Sequence, residues 1–133
     1  MEARNTTTTP CTHHLLPLLL LVAANAIHAA TFNITNLCSF TVWPAAVPVG
    51  GGMRLDPGES WALDVPANGR VGRVWARTGC SFDANGSGSC QTGDCGSVLS
   101  CKNSGKPPMT LAEFSLNTVE SDFFDISLFE GFN

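Results

Sequence analysis

Histidine is nearly absent from this chain. The three it has, His13, His14 and His28, all fall within the first 28 of 133 residues. The stretch around them reads as a removable leader. Leu15 to Ala24 is apolar apart from Pro17, and Ile27-His28-Ala29 fits a cleavage site, so residues 1–29 are expected to be a signal peptide and Ala30 the mature N-terminus. That leaves no histidine for a Ser-His-Asp or Cys-His nucleophile. Charge is also sparse, at 14% of residues with a formal net charge of −4. No basic patch occurs, which argues against a nucleic-acid partner. The apolar run is well short of the ~20 residues that span a bilayer, so no transmembrane segment is expected. The chain has no Cys-x-x-Cys pair, and with no histidine nearby no metal site and no cofactor is expected. Helix-period segments and internal repeats are missing too.

What remains is a chain of short alternating segments separated by turns. Thr31 to Asn36 alternates with period two and would turn Phe32 and Ile34 to a core. Phe40 to Ala45 is rich in strand-forming residues and is broken by Pro44. Asp56-Pro57-Gly58 and Pro66-Ala67-Asn68-Gly69 are turn signals on either side of Ser60–Val65, where Trp61, Leu63 and Val65 share a face. Val71–Thr78 follows as a strand, with Trp75 between Arg73 and Arg77. That pattern fits a ring covered by arginine stems better than a sugar-stacking platform. Leu111–Asn117 and Asp122–Leu128 come last. The first turns Ala112, Phe114 and Leu116 one way and Glu113 the other. The second does the same with Phe124, Ile126 and Leu128 against Asp125. The expected fold class is an all-β antiparallel sandwich with many turns.

Export decides the state of the cysteines. An oxidising compartment makes disulfides the default. Cys11 leaves with the leader, so Cys38, Cys80, Cys90, Cys95 and Cys101 remain, an odd number that leaves one sulfur over. Three of them lie with four glycines in Gly86-Ser-Gly-Ser-Cys90-Gln-Thr-Gly-Asp-Cys95-Gly-Ser-Val-Leu-Ser-Cys101, a segment that looks crosslinked rather than cored. Spacing alone leaves the connectivity open. Asn33-Ile34-Thr35 and Asn85-Gly86-Ser87 are N-glycosylation acceptor triplets, making Asn33 and Asn85 candidate sites.

The run Gly-x-Gly-x-Cys-x-Thr-Gly-Asp-Cys from Gly86 to Cys95 resembles the signature of the thaumatin-like, pathogenesis-related family. One departure follows it: Ser97 stands where the family has Gly or Gln. The opening Ala30–Ala45 is similar to the start of these proteins as well. The resemblance implies a disulfide-stapled β-sandwich over residues 30–133, pairing Cys80 with Cys90 and Cys95 with Cys101. Each small ring would contribute roughly 2–3 kcal/mol from chain entropy. It further implies strands and cysteines beyond Asn133, which would make this a C-terminally incomplete domain. Cys38 then lacks its usual partner and stays unpaired, or links two otherwise monomeric chains.

The family's acidic cleft carries an arginine, a glutamate and three aspartates. By resemblance Glu113 matches the glutamate, Asp125 the first aspartate, and Lys106 stands where the arginine is expected. The implied role is that of a secreted, apoplastic plant defence protein binding fungal cell-wall glucan or membrane. One alternative is a protein-binding inhibitor of a microbial glycosidase such as xylanase. Another is a weak endo-β-1,3-glucanase with Glu113 and Asp125 as its carboxylate pair. Two carboxylates on a sheet face are more often a solvated pair, so binding asks less of them than hydrolysis.

Overall fold

The computed structural model describes residues 30–68, 70–116 and 119–133. The leader expected over residues 1–29, with Cys11 and the histidines, lies outside the described residues. No described helix is long and apolar enough to cross a membrane.

Among the described residues eight strands carry the fold. They are β1 (Ala30–Thr35), β2 (Ala45–Val47), β3 (Ser60–Val65), β4 (Val71–Trp75), β5 (Ser81–Phe82), β6 (Gly88–Ser89), β7 (Leu111–Ser115) and β8 (Phe123–Ser127). All named pairings are antiparallel. β1 and β3 form one small sheet, β2-β4-β7-β8 a second in that order, and β5-β6 a hairpin. The alternation in β1 and β3 does what period two requires. Phe32 and Ile34 face inward with Leu63 and Val65, while Thr31, Thr35, Ser60 and Asp64 hydrogen-bond across the outer face.

The four-stranded sheet is packed on both sides. On one side Ala46, Val74 and Phe114 meet the β1–β3 sheet, and Phe32 sets its ring edge-on to Phe114 at 4.8 Å between centroids. On the other side Ala45, Trp75 and Leu111 meet Met109 and the sulfurs of Cys95 and Cys101. The crosslinked segment therefore acts as a second lid. It is closed by Cys80–Cys90 and Cys95–Cys101 disulfides, and Cys38 is a free, exposed thiol.

Two strands differ from the sequence expectation. The segment around Phe40 forms only an isolated bridge, Val42 to Leu55, and the ladder strand β2 begins after Pro44 at Ala45. A proline has no N–H to give a ladder, and the two alanines that follow are small enough to lie fully buried between the layers. The strand expected over Val71–Thr78 pairs with β7 only as far as Trp75. Beyond it the backbone of Arg77 exchanges hydrogen bonds with Trp43 instead.

Arg77 explains how the lid is held. It is wholly buried. Its Nε donates to the Trp43 carbonyl at 2.9 Å, Nη1 to that of Val98 at 2.9 Å, and Nη2 to that of Leu99 at 2.7 Å. The guanidinium also stands 5.4 Å from the Phe82 ring centroid. Burial lowers its pKa to about 10, against the opposing pull of Asp94, so it stays charged near neutrality. Asp94 organises the turn from the other end, accepting from the backbone N–H groups of Cys90, Gly96 and Ser97.

Candidate ligand groove

The side chains of highest chemical interest stand in one cross-strand row. Antiparallel register sets Val47 opposite Arg73, Arg73 opposite Glu113, and Glu113 opposite Asp125. Residues directly opposite each other point to the same face, here the face turned away from β1 and β3. Arg73 Nη2 reaches Glu113 Oε1 at 3.4 Å, with both side chains partly exposed. Asp125, next along the row, has no ion-pair partner among the described residues.

This row floors an open groove of about 690 Å³. One wall is the start of β4 with Pro48. The other comes from the residues just past the second disulfide, Lys102, Asn103 and Ser104. Phe123 edges the β8 end and is largely exposed. The groove thus offers two cations toward the crosslinked lid, two carboxylates toward β8, short amide and hydroxyl groups, and one aromatic face. Such a set suits a polyhydroxylated ligand: carboxylates accept from sugar hydroxyls, the cations and the amide donate, and a ring packs a sugar's apolar face. Among the described residues no cluster could hold a metal ion.

The expected site residues fall as follows. Glu113 and Asp125 are brought together by direct pairing. Lys106 is exposed but is not among the groove's lining residues; its backbone N–H donates to the Asp94 carbonyl at 2.8 Å. The cation facing Glu113 is Arg73, and Lys102 is the second in the groove. The signal for Arg73 lay in the alternation of β4, where Arg73 and Trp75 share a face. Strand register, which sequence spacing does not contain, was needed to set it against Glu113. Trp75 itself is 2% exposed and donates its Nε1–H to the Gly93 carbonyl, so it offers no stacking surface. Asn33 lies exposed on the outer face of β1, and Asn85 lies exposed in the turn before β6.

The sequence model of the Thaumatin family matches residues 36–133. The chain belongs to the thaumatin family. This thaumatin-family chain is 58% identical over 116 residues to a thaumatin-like protein of Oryza sativa subsp. japonica, covering 87% of this chain and 65% of that one. It is 57% identical over 123 residues to pathogenesis-related protein 1C of Hordeum vulgare, covering 92% and 70%. Among solved structures, the thaumatin-like xylanase inhibitor TLXI matches with a TM-score of 0.64 and 45% identity, over 76% of this chain and 70% of that one. The chain thus spans about two thirds of the length of these relatives.

Proposed function

We propose that this is a secreted plant defence protein that binds fungal cell-wall β-glucan in the groove between β7, β8 and the crosslinked lid. The observation that carries the reading is the row Arg73–Glu113–Asp125 on the floor of that groove, with Phe123 at its edge. A glucan is an uncharged chain of hydroxyls and sugar faces, and it needs no cofactor to be held. Binding rather than hydrolysis is favoured because Glu113 is engaged by Arg73 across the strands. A glycosidase needs one carboxylic acid to protonate the leaving oxygen and a second carboxylate to assist. Pull-down on insoluble β-1,3-glucan tests the reading. The chain is expected in the pellet, Glu113→Gln with Asp125→Asn is expected to reduce recovery tenfold, and no sugar is expected to be released. Wild-type protein that stays in the supernatant sinks the proposal.

A second reading has its own support. A solved relative at 45% identity is described as a xylanase inhibitor, which favours a microbial glycosidase as partner. Xylanase assays with and without the chain separate the two, since a glucan binder leaves the enzyme's rate unchanged.

A further inference from the structure

We propose that Asn85 carries an N-linked glycan whose first N-acetylglucosamine lies in the depression beside it. The inference rests on the reading of the chain as secreted, because the sugar donor, an oligosaccharide held on a lipid pyrophosphate, is met in the secretory compartment.

Asn85 stands at the tip of the β5–β6 hairpin, whose strands the Cys80–Cys90 disulfide ties at their base. One carboxylate builds that tip. Asp83 Oδ1 accepts from the backbone N–H groups of Asn85 and Ser87, each at 2.9 Å, and the Asp83 carbonyl accepts from that of Gly86 at 3.0 Å. Gly86 takes φ of 75° to make the turn. A turn held by bonds this short in sequence forms without help from distant strands. Because Asp83 engages only the backbone, the side chains of Asn85 and Ser87 make no hydrogen bond among the described residues, and both residues are exposed. An acceptor triplet uses those two groups, the amide nitrogen and the hydroxyl two residues on. In the other triplet the Thr35 hydroxyl is already bonded to Ser60 at 2.8 Å, and Asn33 sits mid-strand opposite Ala62. In the transfer, Asn85 Nδ2 bonds to the anomeric carbon of the donor. The bond from that carbon to the pyrophosphate oxygen breaks, and its electron pair leaves with the lipid pyrophosphate. A carboxylate of the transferase takes the proton that Nδ2 gives up.

The attached sugar has a place to lie. A shallow depression of about 440 Å³ opens beside Asn85, with Gly52, Val98, Leu99 and Ser100 across from it. None of its lining residues is charged, which suits an uncharged sugar. Val98, 38% exposed, offers an apolar spot for the acetyl methyl, and Ser87 and Ser100 bring hydroxyls. The hairpin tip already meets this segment through its backbone. Leu99 N–H donates to the Gly86 carbonyl at 2.8 Å and Gly88 N–H to that of Ser97 at 3.1 Å. A sugar anchored on the tip and resting on Val98 and Ser100 shields the Leu99 bond from water.

The test expresses the full chain in plant cells, once with its own leader and once behind a leader of established secretory activity. Trypsin releases residues 78–102 as one peptide whose one asparagine is Asn85. That peptide, from chain recovered in the medium, is expected to carry N-acetylhexosamine and hexose. Peptide N-glycosidase A in heavy-oxygen water should remove them and leave heavy oxygen on residue 85. An enzyme-free control separates this from spontaneous deamidation at Asn85-Gly86. Ser87→Ala should abolish the modification and Ser87→Thr should keep it. Hydrogen exchange at the Leu99 amide should be at least threefold slower in the glycosylated chain than in Asn85→Gln. Secreted chain whose 78–102 peptide is bare overturns the proposal. So does a glycosylated chain whose Leu99 amide exchanges as fast as that of Asn85→Gln. A chain glycosylated at Asn85 only behind the foreign leader supports the acceptor and removes the export reading, so the two failures are distinct.

Discussion

At Ser97 a residue with a side chain occupies a backbone conformation that glycine adopts most easily. Ser97 has φ of 64°, in the left-handed region, where a side chain costs roughly 1–2 kcal/mol. Glycine, one of the two residues the family resemblance places there, takes that angle freely. Ser97→Gly is therefore expected to raise stability by about 0.5–1 kcal/mol after the entropy of a more flexible unfolded chain is subtracted. A melt midpoint that falls would contradict this. Gly88 makes the opposite case, since a Cβ there would run into the carbonyl oxygen of Ser81 on the paired strand. Gly88→Ala should separate β5 from β6, visible as lost amide protection at Ser81 and Phe82. Asp94 gives the lid its response to acid. Burial pushes its pKa up, but the three backbone N–H donors, helped by Arg77, pull it down further, to a net value below the ordinary carboxylate range. A carboxyl whose native pKa lies below its unfolded one stabilises fully above the unfolded value and loses that contribution as pH falls through the native value. Between pH 7 and pH 2 the wild-type melt should therefore drop further than that of Asp94→Asn, which starts lower. Parallel pH profiles would remove Asp94 from this role.

Among the elements, the crosslinked lid was legible in composition and only partly in mechanism. Closely spaced cysteines and glycines in Gly86–Cys101 announced a stapled loop. They could not announce Arg77, whose partners are carbonyl oxygens at Trp43, 34 residues back, and at Val98 and Leu99, some twenty residues further on, and carbonyls leave no mark in a sequence. Arg77→Ala removes a buried charge that satisfies three of them, and is expected to cost about 3–5 kcal/mol. Intact Cys95–Cys101 with fast exchange at Lys106 and Cys101 would be the signature of a lid detached but still stapled. The paired strands tell a similar story. Period two put Glu113 and Asp125 on one side of their strands, and that much was readable. Their direct opposition, and the place of Arg73 beside them, depend on register, which is set by how Phe114 packs under Phe32 and not by local spacing. Lys106 matched a family position by adjacency to Pro107-Pro108, and adjacency along a chain says little about position across a sheet.

For the whole molecule, the all-β class and the sandwich were written in the alternation of β1, β3, β7 and β8. The two-sided packing of the larger sheet was not, because β4 packs the partly buried Val74 on one face and buries Trp75 on the other. A short strand buried on both faces loses the alternation by which strands are recognised. The layers are also unequal, and the exposed row of Phe124, Ile126 and Leu128 follows from that. Such a surface should bind a hydrophobic dye in the native state. Replacing Phe124 and Ile126 by threonine should cut that signal severalfold while shifting the melt midpoint little. A large fall in midpoint would mean that these side chains are more deeply packed than their exposure indicates.

The grip of Arg77 on the lid has a practical reach. Its guanidinium takes hold of main-chain oxygens at Val98 and Leu99, and every amino acid owns one of those. The path of that loop is thus fastened while its lettering is left open. Positions 98 and 100, both facing solvent, are places where foreign residues can be written into a stapled frame without untying it.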